Sequence, residues 1–299
     1  MVDIKLYTLL KIFECGSISE AAKQLSITQP AASQHLKALE NELGVKIFDR
    51  SGGKMILTRQ GNKVLNCAKK MVGLEKVLSR ELADDRSRVE HLTVGVTHTA
   101  ESSPIAGALA KYCSLNPGVS IKFISSPINN LYNMLRSYEI DLAVVDGRIQ
   151  ENDIRFVPLD TDYLALAVSP NHPLAHKEMI TLSELKKERL ILRLPGSATR
   201  ELFAAHLESN NMSIEDCNVI LELDNVATIK DLIRRDFGVS ILPKSACLDE
   251  LKKQKIVVLP VENLSMIREI NIAYLSDFEH RDILQGIIRA YNDTIKIYI

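Results

Sequence analysis

The sequence predicts an α/β protein in which about ninety mostly helical residues precede about two hundred residues of alternating strands and helices. Three observations carry this expectation. Helix caps and apolar residues at helical spacing crowd the amino-terminal part. Short β-rich runs separated by helix-forming stretches fill the rest. The composition, 46% hydrophobic and 25% charged over 299 residues, is that of a globular chain long enough for two or three domains.

Charge and cysteine usage narrow the class further. The formal net charge is −1, yet residues 1–90 hold fifteen Lys and Arg against eleven Asp and Glu, leaving a negative remainder. A basic end suits contact with nucleic acid, and an acidic remainder reads as solvated. Cys15, Cys67, Cys113, Cys217 and Cys247 are odd in number and scattered. They are expected to be reduced, with neither a metal site nor a cofactor. The uncharged run 163–176 is short and broken by Pro170 and Pro173, so no membrane span is expected. Asp3 and Lys5 are not followed by the apolar block of a secretory signal, and the expected location is the cytoplasm.

The first helix is expected over Ile4 to Cys15, where Asp3 caps, Leu6, Leu9, Leu10 and Phe13 fall at helical spacing and Gly16 stops the turn. Ser17-Ile18-Ser19-Glu20 has the form of a capping box and starts a second helix through Ala21, Ala22 and Leu25. Thr28 caps a third, with Pro30 in the first turn, where the missing N–H costs nothing. Its buried stripe is Ala32, Leu36, Leu39 and Leu43, and Gly44 ends it. The opposite face carries Gln29, Pro30, Ser33, Gln34 and Lys37. Two compact helices with hydrogen-bonding residues at the start of the second make a helix-turn-helix, whose second helix enters the major groove. Gln pairs with adenine, Ser bonds bases or phosphate, and Lys suits phosphate or guanine. Ser17 and Thr28, at helix starts where free N–H groups attract phosphate, join this candidate set.

Val45 to Arg50 and Met55 to Leu57, around Ser51-Gly52-Gly53-Lys54, read as two short strands of a wing. Arg50 and Lys54 lie there beside the DNA backbone or minor groove, the alternative being solvated charges on a hairpin. Thr58 then caps a long helix with Val64, Ala68, Met71, Leu74, Leu78 and Leu82 as one apolar stripe, running to about Arg88. A lone helix of that length with an apolar stripe needs a partner, so it is read as a dimerisation helix.

Phe13 to Leu25, Thr28 to Leu36, Leu39 to Val45, Phe48-Asp49-Arg50 and Leu57 to Gly61 together resemble the winged helix-turn-helix of LysR-type transcriptional regulators. The resemblance implies that Gln29, Pro30, Ser33 and Gln34 face DNA and that Arg50 is the wing contact.

From His91 onward the expected strands are Leu92 to Thr97, Val119 to Ser125, Asp141 to Asp146, Leu164 to Ser169, Leu190 to Leu194, Val219 to Leu223, Val239 to Leu242 and Ile270 to Tyr274. They are expected to form parallel sheets, with ligand bound beyond the strands' carboxyl ends. Two loops fit that place, Thr97 to Pro104 and Pro195 to Arg200. Their hydroxyls and glycine suit a small, oxygen-bearing, anionic ligand, although helix capping accounts for any single Ser or Thr. Arg148 could supply charge to such a ligand or stand in water as a loop arginine.

This half also resembles the LysR-type effector domain, through Asp141 to Val144, Ala167 to Leu174, Pro195 to Arg200 and Gly238 to Pro243. The resemblance implies two α/β lobes like those of a periplasmic solute-binding protein, with the chain crossing near Asp160 and returning near Arg268. Thr97, Thr99, Ser102, Ser197, Thr199 and Asn225 then line the cleft, although Asn225 could simply cap the next helix. The expected domains are a DNA-binding domain over 1–58, a linker helix over 59–90 and an effector domain over 91–299. Within the last, lobe 1 is 91–161 with 268–299, and lobe 2 is 162–267. The chain carries no nucleophile elbow, phosphate loop or zincin motif, and Pro173 disqualifies His172 and His176 as a helical metal pair. The expected function is a non-enzymatic regulator that binds operator DNA as a homodimer or homotetramer and answers to a small effector.

Overall fold

The computed structural model describes the chain except residues 52, 53, 88, 148–152, 298 and 299, with backbone alone at 50, 51, 54, 87 and 102. Contacts divide it into two compact units, Met1–Glu90 with Asn133–Glu139, and His91–Tyr132 with Ile140–Ile299.

The first unit opens with α1 (Ile4–Cys15), α2 (Ile18–Gln24) and α3 (Gln29–Leu43). Local chemistry sets their ends. Asp3 Oδ1 accepts from Lys5 N at 2.8 Å, Ser17 Oγ from Glu20 N at 3.4 Å and Thr28 Oγ1 from Ala31 N at 3.3 Å. Gly16 and Gly44 close α1 and α3 in the left-handed conformation. The capping box at Ser17 is only half made, because Glu20 turns to Lys23, 3.8 Å away, instead of reaching back. Ala21 and Ala22 are buried, which lets α2 lie close against its neighbours in a core with Leu9, Ile12, Ala32, Leu36, Leu39 and Ile47. Leu43, expected in that stripe, is 49% exposed, since α3 has run past the core by its last turn.

A hairpin follows, β1 (Phe48–Ser51) paired antiparallel with β2 (Lys54–Leu57), and then the 29-residue α4 (Arg59–Ser87). The expected single stripe on α4 proves to be two. Leu65, Ala68 and Val72 are buried in the three-helix core, while Met71, Leu74, Leu78 and Leu82 are 45 to 56% exposed. Glu75 ties the helix to α1 by accepting from the Tyr7 hydroxyl and from Val2 N.

The second unit contains β3 (Glu90–Val96), α5 (Ile105–Leu115), β4 (Val119–Ser125), α6 (Ile128–Arg136), β5 (Leu142–Asp146), β6 (Ile154–Val168), α7 (Leu182–Leu185), β7 (Leu190–Arg193), α8 (Ala198–Glu208), β8 (Val219–Leu223), α9 (Val226–Arg234), β9 (Ser240–Pro243), α10 (Leu248–Lys252), β10 (Val257–Leu259), β11 (Ile267–Leu275) and α11 (Arg281–Ile295), although β3 begins at, and α6 ends beyond, the contact-based boundary. The sheets are mixed, not parallel throughout. β3–β5 and β7–β8 are parallel, whereas β11 runs antiparallel to β5 and β6, and β6 antiparallel to β9 and β10.

The cause is the path of the chain between two hydrophobic cores. One gathers Leu92, Ile105, Leu142, Ile272, Ile287 and Tyr291; the other gathers Leu164, Leu190, Phe203, Val239, Ile241 and Met266. Strand β6 leaves the first for the second and β11 returns beside it, so the pair must be antiparallel, in register from Ile154↔Leu275 to Tyr163↔Ile267 with a shift at Ile270/Asn271. The expected strand Leu164 to Ser169 is therefore only the far part of β6, and β10 had no counterpart among the expectations.

Candidate functional site

On α3, Gln29, Pro30, Ser33, Gln34 and Lys37 are exposed, as is the cap residue Thr28. Ala32, Leu36 and Leu39 occupy the buried side. The helix therefore offers a row of short and amide side chains at its amino-terminal half, held rigid from behind by apolar packing. Ser17 is half-buried and its hydroxyl is engaged at the start of α2. Strand pairing sets Arg50 opposite Met55 and Lys54 opposite Ser51, and the side chains of Arg50 and Lys54 lie outside the described residues. His35 faces inward: Thr8 Oγ1 spends its proton on Ile4 O at 3.0 Å, so His35 Nδ1, 2.9 Å away, donates to it and joins α3 to α1.

In the second unit, the strand ends carry a dense set of buried polar groups. Thr97, just past β3, donates to Asp146 Oδ2 at 3.1 Å and accepts from Ala100 N at 3.3 Å. Asp146, the last residue of β5, also has Arg268 Nη1 3.0 Å from Oδ2. Burial pushes its carboxyl above the usual range, against the pull of Arg268 and Thr97. Arg268, on β11, grips Asp162 of β6 through Nε and Nη2, and Asp162 in turn accepts from Ser245 N and Oγ. The two crossing strands are thus locked side by side by one buried arginine between two carboxylates.

Arg193 ends β7 and its side chain is only 2% exposed. Its Nη1 donates to Thr99 Oγ1 at 3.3 Å and its Nη2 to Asp224 Oδ1 at 2.8 Å. The first of these bonds links the strand ends of the second core to the loop after β3 of the first. Thr199, in the opening turn of α8, is buried with its hydroxyl unpartnered, and Ser197 caps that helix by accepting from Arg200 N.

Thr97 and Thr99 are thus brought together with Arg193. Asn225 is exposed and its oxygen caps α9 by accepting from Thr228 N. The side chain of Ser102 and the whole of Arg148 lie outside the described residues. The sequence reading passed over Asp146, Asp162, Arg193, Arg268 and Asn271. The available signal was a charge inside an otherwise apolar strand, as at Arg193 after Leu190-Ile191-Leu192. Among the described residues no group of His, Cys, Asp and Glu could hold a metal ion, and no helix is long and apolar enough to cross a membrane.

Two family descriptions match this chain: "Bacterial regulatory helix-turn-helix protein, lysR family" over residues 5–62 and "LysR substrate binding domain" over residues 85–294. The HTH-type transcriptional regulator YybE of Bacillus subtilis (strain 168) is 30% identical over 249 residues, which is 81% of this chain and 82% of that protein. Full-length CbnR in complex with its target DNA superposes with a TM-score of 0.68 at 18% identity, covering 98% of this chain and 100% of CbnR. The regulatory domain of Synechocystis PCC6803 CcmR, solved in complex with 2-PG, gives 0.60 at 22% identity over 68% of this chain and 98% of that domain. The matched families take in both ends of the chain, and its relatives are regulators of transcription, not enzymes. With its helix-turn-helix at the amino end and its effector-binding domain behind it, the chain belongs to the LysR family of transcriptional regulators.

Proposed function

We propose that this regulator reads its operator with Gln29, Pro30, Ser33, Gln34 and Lys37 of α3, with Ser17 and Thr28 at the helix starts against the phosphates and Arg50 and Lys54 on the wing. The observation that carries this reading is the exposure of that face while Ala32, Leu36 and Leu39 are buried behind it. CbnR, seen with its target DNA, supports it at the level of fold. The protein acts in the cytoplasm as a homodimer or homotetramer joined through the exposed stripe of α4. Its effector is a small anion bound between lobe 1 (91–161 and 268–299) and lobe 2 (162–267). Thr97, Thr99, Ser102, Arg148, Ser197, Thr199 and Asn225 form the candidate site, to which Arg193 is added on its burial and its bond to Thr99. The 2-PG complex of the CcmR regulatory domain supports a small-molecule effector. Effector binding favours one closure of the lobes, and closure alters the packing of protomers and so the spacing of their α3 helices.

Operator binding of point variants, measured by fluorescence anisotropy against scrambled DNA and across salt, tests the DNA half. Gln29→Ala and Ser33→Ala each cost about 1 to 3 kcal/mol on the operator and relax base preference. Arg50→Ala weakens binding to every sequence and flattens the salt dependence. Unchanged affinity and preference in Gln29→Ala means that α3 is oriented otherwise.

A further inference from the structure

The groups at the strand ends carry hydrogen-bonding capacity that their own neighbours leave unused, and it is of two kinds. Arg193 Nε and the Thr199 hydroxyl are buried without a partner on the side of the second core. Asp146 Oδ1 and Asn271 Oδ1 are buried without a partner on the side of the first, where the unbonded donor Arg268 Nη1 lies in the ion pair with Asp146 Oδ2 at 3.0 Å. Arg193 ends β7 and Thr199 opens the helix after it; Asp146 ends β5, and Asn271 of β11 pairs with Val145 beside it. An arginine N–H can only donate, and a carboxylate or amide oxygen can only accept. The amide of Asn271 is oriented by its Nδ2, which donates to Gly147 O at 3.4 Å and leaves Oδ1 to face elsewhere.

A ligand that satisfies both sides therefore needs an acceptor at one end and a donor at the other. Formal charge narrows it further. At these strand ends the buried groups Asp146, Asp162, Arg193 and Arg268 balance two against two, while buried Glu250 is paired with Lys230 and the exposed Asp224 adds a further carboxylate on Arg193, so a strongly charged ligand brings uncompensated charge into a buried place. Inorganic sulfate suits Arg193 but sets its charge toward Asp146 and leaves the acceptors unmet; phosphate keeps a proton to donate, yet it too sets negative charge toward Asp146.

We propose that the effector is a small amphoteric acid of net charge zero or −1, its carboxylate held by Arg193 and Thr199 and its hydroxyl or ammonium held by Asp146 and Asn271. This rests on the reading that the effector binds between the two lobes. Arg193 also donates to Thr99 on the other core, so a carboxylate on Arg193 engages a guanidinium that already links the two cores.

Titration calorimetry on the full-length protein tests this with sets of acids that differ in one group. The sets are acetate, glycolate and glycine; propionate, lactate and alanine; and succinate, malate and aspartate, beside sulfate and phosphate. In at least one set the hydroxy or amino acid is expected to bind at least tenfold more tightly than its parent. Arg193→Gln weakens that binding tenfold or more, and Thr199→Ala, which removes an unpartnered hydroxyl together with the γ-methyl, weakens it severalfold. In Asp146→Asn the amide oxygen must face the donors Thr97 and Arg268, so its NH2 replaces an acceptor with a donor. The advantage of the amino acid over its parent acid then falls to within threefold, since an ammonium cannot accept from that NH2. Circular dichroism and thermal unfolding check that each variant is folded.

Parent acids or sulfate that bind as well as their counterparts in every set, and are weakened by Arg193→Gln, overturn the amphoteric class and leave the inter-lobe site standing. Acids whose binding neither Arg193→Gln nor Thr199→Ala weakens overturn both. Absence of binding by every member up to 10 mM, a limit on the order of the weakest affinities that matter to a cell, overturns the class as stated.

Discussion

At Gly61, in the first turn of α4, an added Cβ would stand 2.0 Å from the carbonyl oxygen of Ile47. At Gly107, in the first turn of α5, it would meet only Thr294 Cγ2 at 3.8 Å. Both glycines lie in helices, where Ala is intrinsically better by about 1 kcal/mol, yet their surroundings predict opposite signs. Gly107→Ala is expected to gain up to about 1 kcal/mol, and Gly61→Ala to lose about 1 to 3 kcal/mol because backbone must shift. Urea unfolding of the two variants checks this, and a stabilised Gly61→Ala would contradict the close approach. The same scale shows where the sequence can be read and where it cannot. Asp3, Thr28, Gly16 and Gly44 act on backbone within four residues, so their roles stand in the local pattern. Thr8 and His35 meet 27 positions apart, and Arg193 reaches Thr99 across 94. No local rule connects those pairs, which is why Thr99 could be singled out from its loop and the arginine that bonds it could not.

The long helix α4 shows the same limit one level up. Periodicity in the sequence places Val64, Ala68, Met71, Leu74, Leu78 and Leu82 on one stripe, but the helix must serve a core at its start and open surface further on. Burial of Leu65, Ala68 and Val72 uses about the first four turns, and the stripe from Met71 to Leu82 is what remains. A leucine moved from water into an interface gains about 1.5 to 3 kcal/mol when fully covered, so three half-exposed leucines suffice to bias association. Leu74→Glu, Leu78→Glu and Leu82→Glu together are expected to shift the protein to monomer in analytical ultracentrifugation with little loss of helix content. A triple variant that sediments as the parent does would remove α4 as the seam. Strand β6 was read short for a related reason. Its first part carries Pro158 exposed, Asp160 half-buried and Asp162 buried, polar residues and a proline that break the alternation by which a strand is recognised. The charges are there because Asp162 meets Arg268 where β6 and β11 cross together.

At the scale of the whole chain, the two-lobed class and the helix-turn-helix were legible because each rests on many short signals that agree. The parallel sheet expected for the second unit was not, because direction is decided by the path between cores and not by the strands themselves. That path has a consequence for the order in which the protein can be made. The second core is drawn from one continuous stretch, Leu164 to Met266. The first core needs β11, which pairs with both β5 and β6, and α11, which packs on α5, and these are among the last elements translated. On the ribosome, β3, β4 and β5 therefore wait, unsealed, while the later-encoded core closes ahead of them. A chain stopped after Met266 is expected to protect amides of residues 164–259 from exchange while those of 92–146 exchange freely, and equal protection of both would refute this order. Until α11 is complete, the nascent regulator has surfaces for a signal but no finished place to receive one.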